Sequence, residues 1–329
     1  MSAATAALTA SLLSACAVGG SRHHDQTVRR PVPPPPLTVS GIHLVLAGAQ
    51  DVGYVDEQGY HDETASWKAS AEARIRGLIR LTHTRFLLLE GEPGQDRGNL
   101  DVIAGADATT RDTTIAQVVG AAADLNGGFW ATTQQRLGAP YVATHHTAAG
   151  RADMRITLPT GSVLLSGTEK ELLSVDTAGS LNVSSSSSRR TLLTNADVLA
   201  ASGTTAIARV GAGECAQLAL VRPGGSTRLD APLLDPTAGT TSGSVDATTT
   251  VLWAIGCDHL AHTFTIDLGT GATTKSAASF DTQPTSISGL PGVLAAVNRD
   301  AGGRVTVAGS AGVQTAPNNT GATSVVLIP

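Results

Sequence analysis

The chain has 329 residues, of which 41% are hydrophobic, 15% charged and 3% aromatic, with 36 glycines and a formal net charge of −5. That length serves one large β domain or two small ones, and few charges beside many small and β-branched residues speak against long amphipathic helices. The acidic balance excludes a general affinity for nucleic acid, and the scarcity of aromatic rings argues against a sugar-stacking surface.

Residues 2–15 are small and apolar and end in Leu12-Leu13-Ser14-Ala15-Cys16. An apolar run of this length ending in small residues reads as a secretory signal and is too short to span a membrane. Leu13-Ser14-Ala15-Cys16 also resembles the bacterial lipobox, although the first basic residue is Arg22, beyond it. The resemblance implies cleavage after residue 15, lipidation of Cys16 and attachment of the exported chain to the outer face of the plasma membrane. Residues 16–38 continue through Gly19-Gly20-Ser21 and His23-His24 to the proline run Pro33–Pro36. Such a segment is a tether, flexible first and then semi-rigid polyproline II. The histidine pair in it is read as linker rather than ligand.

From residue 39 to 329 the sequence alternates short apolar runs with Gly, Pro, Asn and Asp turns. Ile42–Ala47 and Val52–Val55 read as strands, with a turn at Gln58-Gly59. Residues 66–76 tolerate either a helix or an outer strand. Thr84–Glu90 reads as a buried strand that pairs with Leu100–Ile103, and the Ala-rich residues 114–125 are ambiguous. Gly127–Thr132 and Pro140–Thr144 form the next pair. Ser162–Ser166, Glu171–Asp176 and Leu181–Val183 then make one meander. Val198–Ser202, Ala206–Val210, Gln217–Val221 and Thr227–Leu229 make another. A third is built on Val251–Ile255 and on Thr263–Leu268, where Phe264, Ile266 and Leu268 alternate with Thr263, Thr265 and Asp267. Gly292–Val297, Gly303–Val307, Gly312–Gln314 and Ser324–Ile328 close the chain.

Comparable apolar strands recur near residues 42, 85, 128, 163, 206, 251 and 293. That spacing is the range of propeller blades, so the expected fold is all-β, a β-propeller of seven four-stranded antiparallel meanders. Rings of six or eight blades, or two packed sandwiches, are the alternatives. Ile266-Asp-Leu-Gly-Thr-Gly-Ala272 resembles the Asp-Leu-turn segment of YVTN- and quinoprotein-like bacterial propeller repeats, with a fainter echo at Glu171–Ser180. This resemblance implies the fold and carries no activity.

Besides Cys16 the cysteines are Cys215 and Cys257. In an exported chain such a pair reads as a disulfide, and an overlay at an offset of 45 residues places both near the same hairpin of neighbouring units. Cys257, His259 and His262 crowd potential metal ligands, but a disulfide would remove the thiolate and no second cluster completes a site. No metal and no cofactor is therefore expected. His145-His146 is read as an exposed loop pair, with one imidazole a candidate general base if it lies at the channel mouth. These four histidines are the candidate ligand-binding residues. Asp51, Asp56, Glu57, Asp62 and Glu63 form an acidic rim. Arg74, Arg76 and Arg80 share one face of an extended strand, with Lys68 nearby, as a polar outer face or an anion contact. Gly211–Ala216 has the spacing of a dinucleotide fingerprint but runs into a strand instead of a helix, and so cannot hold a pyrophosphate. Ser184–Ser188 is read as a flexible loop.

No catalytic constellation is visible. The function expected from sequence is a lipid-anchored envelope propeller that binds a protein or small ligand. The alternative is an exported propeller enzyme, a lyase, hydrolase or quinoprotein-like oxidoreductase, with several His, Arg or acidic residues converging on the central channel.

Overall fold

Most of the apolar runs that recur along the chain form the second strand of a unit in a ring of antiparallel sheets. The structure, a computed structural model, describes residues 37–329 apart from 38, 40, 49–51, 62–73, 83, 93–94, 96, 105–109, 212, 277–279, 299–302, 311 and 319–320. The leader, Cys16, the histidine pair of the tether, Lys68, Asp51, Asp62 and Glu63 lie outside the described residues.

Blade 1 contains β1 (His43–Ala47), β2 (Val52–Asp56) and β3 (Gly59–His61). Blade 2 contains β4 (Arg74–Arg80), β5 (Arg85–Gly91), β6 (Gly98–Ala104) and the first half of β7 (Thr110–Ala123). Blade 3 takes the second half of β7, then β8 (Phe129–Thr133), β9 (Tyr141–His146) and β10 (Ala152–Leu158). Blade 4 is β11 (Val163–Gly167), β12 (Leu172–Val175), β13 (Leu181–Ser184) and β14 (Arg189–Leu193). Blade 5 is β15 (Asp197–Ser202), β16 (Thr205–Val210), β17 (Gln217–Arg222) and β18 (Gly225–Arg228). Blade 6 is β19 (Thr240–Ser244), β20 (Thr249–Ile255), β21 (Ala261–Asp267) and β22 (Thr273–Lys275). Blade 7 is β23 (Ser286–Leu290), β24 (Val293–Val297), β25 (Arg304–Gly309) and β26 (Gly312–Pro317). The last strand, β27 (Ser324–Ile328), returns to blade 1 and pairs with β1 from His43↔Ile328 to Ala47↔Ser324, becoming the innermost strand of that blade. The ring is therefore closed by the two ends of the domain.

The second strands read as unbroken apolar runs because both of their faces are buried. In β1, Leu44 and Leu46 enter the core shared with blade 7, while Val45 and Ala47 enter the core shared with blade 2. In β20, Leu252 and Ala254 face blade 5, and Val251 and Trp253 face blade 7. Among the described residues seven such cores occur, one between each pair of neighbouring blades. Each fully buried Leu, Ile, Val or Phe contributes about 1.5–3 kcal/mol, so the ring is held by the sum of these sandwiches. The fourth strands face outward, and all of β18 is exposed.

Six of the seven recurring runs are second strands. The run near residue 163 is instead the innermost strand of blade 4, β11, and the second strand of that blade is β12. Of residues 114–125, those up to Ala123 belong to β7, which pairs with β6 up to Val118 and with β8 from Val118 onward. Gln117 at φ 61° and a bulge between Val118 and Gly120 bend it where it passes from one blade to the next. Of residues 66–76, the described part is strand, the start of β4.

Hairpins joining first to second and third to fourth strands lie on one face of the ring, here the front. Hairpins joining second to third strands and the connections between blades lie on the back. Val39, whose N–H donates to the Asp56 carbonyl at 3.1 Å, brings the chain into the ring on the front face.

Candidate functional site

The innermost strands surround a central cavity of about 950 Å³ to which all seven blades contribute. Among the described residues the innermost strands of neighbouring blades share no β-ladder; a single parallel bridge, Asp124↔Gly167, joins blades 3 and 4, and serines join others. Ser166 donates to the Gly203 carbonyl (2.8 Å) and Ser242 to that of Leu199, while the Ser286 and Ser288 hydroxyls accept from Val325 N–H (3.2 Å) and Leu327 N–H (3.1 Å). Where blades 6 and 7 meet, β19 carries Gly243, because any Cβ there would lie 1.8 Å from the Ile287 carbonyl oxygen. The wall mixes partly exposed apolar side chains, among them Leu78 and Leu199, with hydroxyls such as that of the exposed Ser244.

One cation enters this wall. Arg80, at the end of β4, reaches across the front mouth of the channel. Its Nη1 donates to the carbonyls of Gly289 (2.9 Å) and Leu327 (3.1 Å), and its Nη2 to that of Val245. One guanidinium thus ties blade 2 to blades 1, 6 and 7. Burial lowers its pKa below the ordinary arginine value, and the charge of Asp246 works against that shift. The grouping of Arg80 with Arg74 and Arg76 is corrected by the structure. A register shift between Ile75 and Gly77 breaks the alternation, so Arg74 and Arg76 stay exposed while Arg80 turns into the channel.

The second polar feature lies on the front face of blade 3, and it overturns the reading of His145-His146 as an exposed loop pair. Both residues end strand β9, and extended geometry sends them to opposite faces. His145 has no solvent exposure. Its Nε2 contacts Asp124 Oδ2 at 2.8 Å and its Nδ1 contacts Asp153 Oδ1 at 2.7 Å. Asp124 also accepts the N–H groups of Asn126 (2.7 Å) and Gly128 (2.8 Å) through Oδ1. Two carboxylates on two ring nitrogens require both nitrogens to donate, which makes the ring an imidazolium. Burial alone would lower the His145 pKa, but the hydrogen bonds and charges of Asp124 and Asp153 raise it above the usual value. Burial likewise works to raise Asp124, yet the bonds from His145, Asn126 and Gly128 hold it below the carboxylate range. Trp130 stands 5.1 Å from the imidazole, and its indole N–H donates to the Thr168 carbonyl of blade 4 at 2.8 Å. His146 is half-buried and stacks on Phe129 at 4.8 Å; burial pushes its pKa down. The paired acids that make His145 visible as a unit sit 21 and 8 residues away, so sequence spacing gave no signal of them.

The remaining candidates lie on the back face. Cys215 and Cys257 form a disulfide with Cα atoms 5.9 Å apart, joining the equivalent hairpins of blades 5 and 6. Leu234 bridges Ala216 on one side and Gly256 on the other, so the connection between the blades threads the same spot. Cys257 is therefore not a thiolate ligand. His259 sits in the turn at φ 62°, outside the strand, and His262 Nε2 contacts Asp258 at 2.9 and 3.0 Å. The hydrogen bonds from His262 and from Leu260 N–H lower the Asp258 pKa. The two histidine pairs thus occupy opposite faces and form no common site.

Other motifs serve turns. Asp267 accepts Thr270 N–H at 2.7 Å while Gly271 takes φ 82°, and the echo at Asp176 accepts Ala178 and Ser180 N–H at 3.0 Å in the same manner. The echo falls in a different hairpin, between second and third strands instead of third and fourth. Glu57 accepts Gly41 N–H and Asp56 accepts Gln58 N–H, so this described part of the acidic rim is spent locally. Ser184 ends β13, and Ser185 to Ser188 form a hydrogen-bonded turn in place of the expected flexible loop. Gly211–Ala216 leads into strand β17, as its sequence requires.

Of the charged residues lining the cavity, described as Arg80, Asp124 and Asp246, Asp124 is committed to His145 and Arg80 to three carbonyls. The several converging acids and bases expected for a channel enzyme are not gathered there among the described residues.

No family model and no curated protein matches the sequence. Solved structures do resemble it. A functionally unknown protein from Desulfotomaculum acetoxidans is 10% identical, with a TM-score of 0.55 over 87% of this chain and 98% of that one. Prolyl oligopeptidase B from Galerina marginata is 11% identical, with a TM-score of 0.51 over 84% of this chain and 52% of that one. The β-propeller domain of the Trilobed protease from Pyrococcus furiosus is 7% identical, with a TM-score of 0.50 over 74% and 84%. The chain spans about half the length of the oligopeptidase. At these identities the likeness speaks to the fold alone. The chain is a seven-bladed β-propeller. The Pyrococcus domain has an open velcro topology, whereas here β27 closes on β1.

Proposed function

We propose that this propeller is an exported, lipid-anchored module of the cell envelope that binds a small ligand in its central cavity. The cavity carries the reading: about 950 Å³ lies at the upper end of the range for small-molecule sites, with a wall that mixes apolar and polar groups. Supporting the envelope address are the apolar leader ending at Cys16, the proline-rich tether and the disulfide, a bond kept in oxidising compartments. Affinity with YVTN- and quinoprotein-like repeats remains part of this proposal on the strength of the Asp-Gly turn at Asp267.

Ligand binding is tested by thermal unfolding of the purified protein against a panel of neutral, cationic and anionic small molecules. A saturable rise in Tm with at least one compound is expected by mass action. A flat response across the panel, with the protein folded, sinks the reading. Anchoring is tested by fractionation. The Cys16→Ala variant leaves the membrane fraction and loses its lipid label, and retention of both rejects the anchor.

A further inference from the structure

We infer that the central cavity takes a monocarboxylate with an apolar body, its carboxylate seated on Arg80. This rests on the reading of the cavity as a ligand site and names the ligand class.

A guanidinium carries five N–H donors in a rigid plane. In Arg80 three of them are used, on the carbonyls of Gly289, Leu327 and Val245. Two remain, on a half-buried cation that the three carbonyls hold in place across the channel. Carbonyl dipoles fix the group without cancelling its charge. No carboxylate among the described residues forms an ion pair with it; the nearest charge acting on it, Asp246, turns its Oδ1 to the N–H groups of Thr248 and Thr249. A preorganised, partly desolvated cation with spare donors fits a planar oxyanion. An incoming carboxylate would then supply the counter-charge.

The same surroundings limit the ligand. Asp246, on the rim of the cavity, opposes a second negative charge, which favours a monoanion. Beyond Arg80 the wall presents the partly exposed Leu78 and Leu199 beside inner-strand hydroxyls, among them that of the exposed Ser244. Those leucines suit a hydrocarbon body.

The test uses the full-length chain and isothermal titration with straight-chain monocarboxylates from butyrate to dodecanoate, beside primary alcohols and α,ω-dicarboxylates of equal length. Saturable binding of the longer monocarboxylates is expected, at least tenfold tighter than the matching alcohols and dicarboxylates. Arg80→Met should lose at least tenfold in affinity for monocarboxylates and leave the alcohols unchanged, with Arg80→Lys in between. Arg80 also ties four blades, so its variants are checked by circular dichroism. Ser244→Trp, which fills the cavity from an exposed position on β19, supplies a variant that keeps Arg80 and should abolish binding. Equal affinity for alcohols and carboxylates, or full carboxylate affinity in Ser244→Trp, overturns the proposal. If other classes bind saturably while monocarboxylates do not, the ligand class is wrong and the binding module stands. If nothing binds, both fail.

Discussion

Two polar ties on opposite faces of the ring do comparable work by different means. On the back, the Cys215–Cys257 disulfide locks the equivalent hairpins of blades 5 and 6 across a separation of 42 residues. On the front, the buried imidazolium of His145 gathers Asp124, from the hairpin between β7 and β8, and Asp153, from β10. The covalent tie acts chiefly on the unfolded chain, by restricting it. The ionic tie acts on the folded state, where a buried His145 and Asp124, the solvent-exposed Asp153 and the neighbouring backbone N–H groups satisfy one another. The first should therefore respond to reductant and be indifferent to mild pH change, and the second should do the reverse.

Breaking the ionic tie should have the largest effect. Removing His145 leaves Asp124 buried without its cation, and His145→Ala is expected to cost about 3–5 kcal/mol in urea unfolding. A loss under about 1 kcal/mol would mean that the carboxylates relax into solvent and that the site is not a closed unit. Breaking the covalent tie comes next. The double variant Cys215→Ser/Cys257→Ser, or treatment with dithiothreitol, should lower stability by about 2–4 kcal/mol. Reduction should add nothing further to the double variant. Trp130→Phe, which strands the Thr168 carbonyl and separates blade 3 from blade 4, should cost about 1–2 kcal/mol.

The pH dependence sharpens the comparison at smaller amplitude. Because the His145 pKa is raised on folding, its contribution is complete below the unfolded histidine value of about 6.5 and fades as pH rises through the higher folded value. Asp124 is lowered, so its contribution is complete above about 3.9 and fades as pH falls through its folded value. Urea midpoints across pH should show a shoulder between these limits and a decline on the alkaline side. In a His145→Gln protein the alkaline decline attributable to this group should vanish, while the disulfide variant should keep it. An unchanged alkaline decline in His145→Gln would assign it to other groups.

Legibility followed the same division. The cysteine pair is legible because Cys215 and Cys257 are the two cysteines of the domain and fall at matching positions of neighbouring units. His145 was not readable as a buried ion. Its partners come from a turn and from a neighbouring strand, and nothing in Thr144-His145-His146 distinguishes the inward histidine from the outward one. Arg80 was misplaced for a related reason: a bulge at Ile75–Gly77 reset the alternation on which its grouping with Arg74 and Arg76 depended.

By itself the sequence determined that the domain is a succession of antiparallel meanders, for which a ring was the expected arrangement. The second strand of each blade must fill two cores at once, and Leu44-Val45-Leu46-Ala47 or Val251-Leu252-Trp253-Ala254 can do so only as continuous apolar runs. The tertiary structure alone decided what the centre contains. Inner strands such as Thr240–Ser244 and Ser286–Leu290 carry a weak apolar signal, because close approach selects Gly and stitching between blades selects Ser. Only closing the ring places those strands around a cavity and sets Arg80 across its mouth.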